Sequence, residues 1–159
     1  MSQPNILFIV TDDQGPWAFG AAGDPDARTP NLDRLCKEGA RLTNYFCMSP
    51  VCSAARGCLM TSRYSTETGI RDYINPRNPE SDVGLDPKFA TWPKCLENVG
   101  YQTALVGKWH LGMQRPEHHP TRHGYQEFFG EMVGTSINPS VEIGGEQRKV
   151  EGYTADITA

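Results

Sequence analysis

Three groups of polar residues in this 159-residue chain have types and spacings that could do chemistry. Asp12 and Asp13 stand side by side just past an apolar run, Ile6-Leu7-Phe8-Ile9-Val10. Cys52 opens the run Cys52-Ser53-Ala54-Ala55-Arg56, in which an arginine follows one helical turn after the cysteine. Lys108 and His110 come after a second apolar run, Gln102 to Val106, and in an extended segment residues two apart project to the same side. Two carboxylates suit a hard divalent cation such as Ca2+ or Mg2+. A helix N-terminus with Arg and Lys nearby suits a tetrahedral oxyanion. Together the three groups describe a site for sulfate or phosphate esters, with a metal as Lewis acid.

Each group also has an ordinary reading. Adjacent aspartates after a strand are more often a cap or a turn. A lone Cys-x-x-x-Arg on a helix is mostly structural, and Lys108 and His110 could belong to a solvated loop. His118, His119 and His123 imply no ligand geometry and read as ordinary loop residues.

The elements that must position these groups follow from hydrophobic pattern and punctuation. Ile6 to Val10, after Pro4, reads as a strand buried on both faces, of the kind found inside a parallel sheet. Open α/β sheets place ligands at the carboxyl ends of such strands, where Asp12 and Asp13 fall. Thr29-Pro30 opens a helix whose Leu32, Leu35 and Cys36 share a face and which stops at Gly39. Arg41 to Phe46 reads as a short strand. Ala54, Ala55, Cys58 and Leu59 carry helical spacing from Ser53 to about Thr61, so Cys52 stands at a helix N-terminus. Tyr64 to Pro87, rich in Pro, Asn, Asp and Gly, reads as an irregular surface segment. A further helix is capped by Thr91, turns Leu96 and Val99 inward and stops at Gly100. Gln102 to Val106 is the second buried strand. Tyr153 to Ala159 looks like a helix that begins and is too short to support itself, which suggests a piece of something longer.

Composition bounds the function classes. The length suits one domain, and 38% apolar residues are enough for a core. A net charge of −4 gives no basic face, which argues against a nucleic-acid partner. No stretch is long and apolar enough to cross a bilayer, so no membrane partner is expected. Met1 to Asn5 lacks the basic start of a signal peptide. As written the chain is cytoplasmic, and a trimmed N-terminus would make it periplasmic or secreted. The five cysteines, Cys36, Cys47, Cys52, Cys58 and Cys95, are odd in number and contain no Cys-x-x-Cys pair, which disfavours a disulfide framework or a zinc site. Outside the motif they read as buried small hydrophobes.

The order of these pieces resembles the sulfatase family. Cys52-x-Ala54-x-Arg56 is similar to its modification motif, Cys-x-Pro-or-Ala-x-Arg, and Thr61-Ser62-Arg63-Tyr64 continues it with Ser62 where glycine is usual. Pro4 to Asp13 resembles the family's opening strand, and Thr29-Pro30-Asn31-Leu32-Asp33-Arg34-Leu35 the helix after it. Gly100 to His110 looks like the second signature, and His123 to Gly130 resembles the loop that follows. The resemblance spans roughly residues 4 to 130.

What the resemblance implies is specific. The fold would be α/β, a mostly parallel sheet flanked by helices, alkaline-phosphatase/sulfatase-like and incomplete at its C-terminus. Residues 1–159 would be the N-terminal part of a catalytic domain. Cys52 would be oxidised to formylglycine by a formylglycine-generating enzyme. One hydroxyl of the hydrated aldehyde would attack sulfur and expel the alcohol. The other would then lose its proton as sulfate is eliminated and the aldehyde re-forms, a step closed to serine or a thiol. Asp12, Asp13 and residue 52 would bind a metal, usually calcium, with magnesium the alternative. Arg56 would hold the hydrate, and Lys108 and His110 would bind sulfate oxygens and stabilise the transition state. An Asp-Asn metal pair and a further Lys and His would come from beyond residue 159, so the isolated chain is expected to be inactive or weakly folded. The substrate would be a small-molecule or carbohydrate sulfate ester. Two rival readings are a phosphate or phosphonate monoester hydrolase of the same superfamily and an inactive anion-binding fragment.

Overall fold

The computed structural model describes residues 3–78, 82–133, 140–143 and 146–149. The helix start expected at 153–159 lies outside them. The chain divides into two units, Met1–Phe46 and Cys47–Ala159.

In the first unit a proline at the first position helps open helix α1, Pro30–Glu38, after Thr29. Thr29 does not cap the helix backbone with its side chain. Its hydroxyl instead donates to Asp33 Oδ1 (3.0 Å) and accepts the Gly20 N–H (2.8 Å). Asp33 Oδ1 also accepts the Ala21 N–H (2.7 Å), so one carboxylate ties the 3₁₀ turn Gly20–Ala22 to the first turn of α1. Gly39 closes the helix through its N–H to the Leu35 carbonyl.

Two expectations fail in this unit. Ile6 to Val10 forms no strand, and its side chains are exposed, Leu7 most of all at 85%. Nor does Arg41 to Phe46 form a strand. A strand persists only when a neighbouring strand takes up its N–H and C=O groups in a ladder, and among the described residues neither segment belongs to a sheet. The apolar face of α1 is open as well: Leu32 and Leu35 are exposed, Cys36 is half-buried, and no residue of the helix is buried.

The second unit holds the core. Helix α2, Cys52–Thr61, buries Ser53, Ala54, Gly57, Cys58 and Met60 on one face. It ends in a left-handed turn at Ser62 (φ +56°), whose N–H reaches the Cys58 carbonyl. After it come α3, Ser65–Thr68, α4, Trp92–Asn98, and a four-stranded sheet. Strand β1, Ala104–Lys108, runs parallel to β2, Glu127–Glu131, which pairs antiparallel with β3, Ser140–Ile143, and that with β4, Glu146–Lys149. Gly107 and Gly130 face each other in the β1–β2 register, where a Cβ on Gly130 would collide with the Gly107 carbonyl. Met60, Ile70, Ile74, Leu85, Trp109, Leu111, Tyr125 and Phe128 form the core cluster. Three of these, Ile70, Ile74 and Leu85, come from the segment expected to lie irregular on the surface. Strand β1 is less enclosed than expected, with Leu105 half-buried and Val106 68% exposed. Among the cysteines only Cys58 is buried, while Cys47 and Cys95 are exposed. Val99 is exposed as well, so the inner face of α4 rests on buried Pro93 and half-buried Trp92 and Leu96. No helix among the described residues is long and apolar enough to cross a membrane.

Candidate active site

Cys52 is the first residue of α2, where the opening N–H groups of a helix have no intrahelical partner and the helix dipole favours negative charge. It is half-buried, and its Sγ lies 3.3 Å from His110 Nδ1, across 58 residues of sequence. One turn along α2, half-buried Arg56 donates from Nη1 to the Lys108 carbonyl (2.5 Å), fastening the helix to the end of β1. The structure therefore brings Cys52, Arg56, Lys108 and His110 into one neighbourhood, as their types suggested. It is the Lys108 carbonyl that Arg56 engages.

His110 is held from several sides. Its backbone continues the β1–β2 pairing: the Trp109 N–H reaches the Glu131 carbonyl and the His110 N–H the Met132 carbonyl, both at 2.8 Å. Its φ of +61° is unusual for a residue with a Cβ, so the extended run from Lys108 ends here. The side chain is fully buried. Nε2 lies 3.0 Å from the Ile74 carbonyl, which can only accept, so Nε2 carries the proton. Tyr73 meets the imidazole edge-on, with ring centroids 4.9 Å apart. Tyr73 and Ile74 belong to the segment read as surface loop. Apolar Ile70 and Ile74, four residues apart amid polar neighbours, were the one signal that this segment turns inward.

Asp12 and Asp13 lie in the first unit, exposed, with Asp13 in a left-handed conformation (φ +56°). Their carboxylates are the donors a hard cation takes, although Ca2+ takes roughly 6–8 oxygens. Among the described residues no group of three or more His, Cys, Asp or Glu is gathered for a metal. The pair fits one side of a cation site by donor type and does not close it.

The histidines read as ordinary loop residues are instead core residues: His118, His119 and His123 are all buried. His123 tilts against Trp109 (5.4 Å between centroids) and donates from Nε2 to the Glu117 carbonyl (3.0 Å). His119 stands edge-on to Phe128. The His118 ring is hemmed in by Gly84 and Gly112, where a Cβ would come within 2.5 and 2.7 Å of it, and its Nδ1 has no hydrogen-bond partner among the described residues. Burial lowers the His118 pKa and pushes that of His123 down to about 4, so both are neutral near pH 7. Burial likewise raises the Cys58 thiol, which stays protonated as a packing residue. It pushes Tyr125 up to about 12.

The sulfatase family model matches residues 4–155. The chain belongs to the sulfatase family. It is 42% identical over 135 residues to arylsulfatase J of Mus musculus, covering 84% of this chain and 22% of that protein. It is 39% identical over 134 residues to N-acetylgalactosamine-6-sulfatase of Homo sapiens, covering 80% and 25%. The crystal structure of Ps i-CgsB matches this sulfatase chain with a TM-score of 0.78 at 36% identity, over 84% of this chain and 29% of that one. The same protein in complex with k-i-k-neocarrahexaose matches at a TM-score of 0.70 and 34% identity, over 77% and 27%. The fold is thus α/β and alkaline-phosphatase/sulfatase-like. The chain spans 22% to 25% of the length of these two curated relatives.

Proposed function

We propose that this chain is the N-terminal part of a sulfuric ester hydrolase whose nucleophile is a formylglycine made from Cys52. The observation that carries the reading is the placement of the motif cysteine at the start of α2, with its Sγ 3.3 Å from the Nδ1 of a buried histidine. An oxygen on the same carbon would sit at hydrogen-bond range of that nitrogen. As a hydrated aldehyde, residue 52 would supply one hydroxyl to attack sulfur and a second to let sulfate leave. His110, protonated at Nε2, offers the Nδ1 lone pair to take the proton of such a hydroxyl. Arg56 fixes the start of α2 against β1 and brings a permanent positive charge to an anionic ester. Lys108, at the end of β1, adds a second cation for the sulfate oxygens. Asp12, Asp13 and residue 52 would hold a divalent cation, calcium before magnesium, which would act as a Lewis acid on the ester oxygens.

Support for sulfate esters over other anions comes from the family and from relatives named as sulfatases. A carbohydrate sulfate fits the neighbour solved with a neocarrahexaose, and a small aryl sulfate fits the arylsulfatase relative. The test is co-expression with a formylglycine-generating enzyme and mass spectrometry of the peptide containing residue 52. The aldehyde mass is expected, and an unmodified cysteine would overturn the reading. Side-by-side turnover of 4-nitrophenyl sulfate and a 4-nitrophenyl phosphonate by the protein carrying this sequence should favour the sulfate. Preference for the phosphonate would reassign the substrate class.

A further inference from the structure

We propose that Ser53 is a positioning residue for His110, acting through the backbone of Ile74, an inference that rests on the role proposed above for residue 52. A circuit of hydrogen bonds leaves the motif at one residue and returns to it at the next. Cys52 Sγ lies 3.3 Å from His110 Nδ1, His110 Nε2 lies 3.0 Å from the Ile74 carbonyl, and the Ile74 N–H donates to Ser53 Oγ at 3.1 Å. All three partners behind Cys52 are enclosed: Ser53 and His110 are 0% exposed and Ile74 is 4% exposed. Water cannot replace a lost bond in such a place, so each member constrains the next.

The chemical consequence lies in the tautomer. A neutral imidazole has one N–H and one lone pair, and the bond made by one nitrogen decides what the other presents. The Ile74 carbonyl can only accept, so it holds the proton on Nε2 and leaves Nδ1 bare toward residue 52. The Ile74 carbonyl keeps its place because the same residue's N–H is anchored on Ser53, and Ser53 rides on α2 one position after residue 52. One helix terminus thus carries both the nucleophile and the hydroxyl that orients the nucleophile's base. Tyr73, edge-on to the imidazole, limits the ring's rotation from another side. The serine of the motif is then more than a small residue beside the cysteine.

Nitrogen NMR of the protein carrying this sequence, labelled in its histidine side chains, tests this. In the wild type, His110 should show a protonated Nε2 and an unprotonated Nδ1. In Ser53→Ala both nitrogens should move toward exchange-averaged positions, and in Ser53→Thr, which keeps the acceptor oxygen, they should stay near wild type. A wild-type His110 protonated at Nδ1 overturns the proposal, and this needs no variant to fold. A folded Ser53→Ala protein with an unchanged His110 signature overturns it too. In the protein carrying the formylglycine, Ser53→Ala should lower kcat on 4-nitrophenyl sulfate by between about ten- and a hundred-fold with KM little changed. Loss in KM alone counts against the positioning role. A failure of the hydrolase reading stays distinguishable, since it would show as unmodified Cys52 with the Nε2–H tautomer intact.

Discussion

The two apolar runs that precede the charged motifs make an instructive pair. Ile6 to Val10 is the more hydrophobic to the eye, yet it forms no strand and lies exposed from Val10 at 47% to Leu7 at 85%. Ala104 to Lys108, interrupted by Gly107 and ending in a lysine, forms β1 and pairs with β2 along its length. The difference is sheet pairing. β1 has a neighbour that takes up its backbone groups, and the residues just beyond it, Trp109, His110 and Leu111, are sealed into the core. Apolar character makes a segment able to be buried, and only another surface can bury it.

The largest effect that would break this comparison is expected at Trp109. It is 2% exposed and its indole N–H donates to the His118 carbonyl at 2.7 Å. Trp109→Ala should cost about 3–5 kcal/mol, against a stability of ~5–15 kcal/mol typical of a domain. Urea unfolding followed by tyrosine fluorescence would show the midpoint collapse.

Next in size is pH. The folded pKa of His123 is lowered from its usual value, so the unfolded state binds the proton first. The stabilisation is whole above pH 6.5 and is lost as pH falls from there toward about 4. His118 is shifted in the same direction by the same burial. The His123 contribution alone is about 3 kcal/mol. Urea midpoints at pH 7 and pH 4.5 should differ accordingly, and His123→Gln should flatten the dependence. An unchanged midpoint would show that His123 is solvated.

Arg56 comes third. Arg56→Ala removes a charged donor to the Lys108 carbonyl and should destabilise by about 1.5–3 kcal/mol, with the Lys108 region exchanging its amides faster. Ser62→Gly should go the other way and stabilise by about 1 kcal/mol, because the left-handed turn after α2 carries a Cβ there. The smallest effect is expected in the first run. Leu7→Ser should stay within about 0.5 kcal/mol of wild type, which thermal melting would check. A large loss there would mean that Leu7 is covered, and the contrast between the two runs would fail.

Much of the candidate site was legible. Small residues and helical spacing after Cys52 announced α2, and the run before Lys108 announced β1, because both signals are local. Less legible was what joins them. The serine after Cys52 carries no local signal of a role, but its hydroxyl is engaged by an amide 21 positions later. His118, His119 and His123 looked like loop residues because Pro and Gly surround them. They are buried because that loop folds onto Trp109, Phe128 and the glycines at 84 and 112. Thr29 and Thr91 stand at helix starts, yet neither side chain caps the helix backbone: the Thr29 hydroxyl accepts the Gly20 N–H and donates to Asp33, and the Thr91 hydroxyl donates to the His123 carbonyl.

The sequence by itself determined the residue types of the chemistry, the helix that carries Cys52, the family and the order of the motifs. These depend on local spacing, which the covalent chain sets directly. Tertiary structure alone decided which apolar segments are buried, which nitrogen of His110 faces residue 52 and which loop supplies the carbonyl that holds it. Those outcomes are contacts between residues tens of positions apart, and burial and hydrogen-bond geometry exist only once such residues meet.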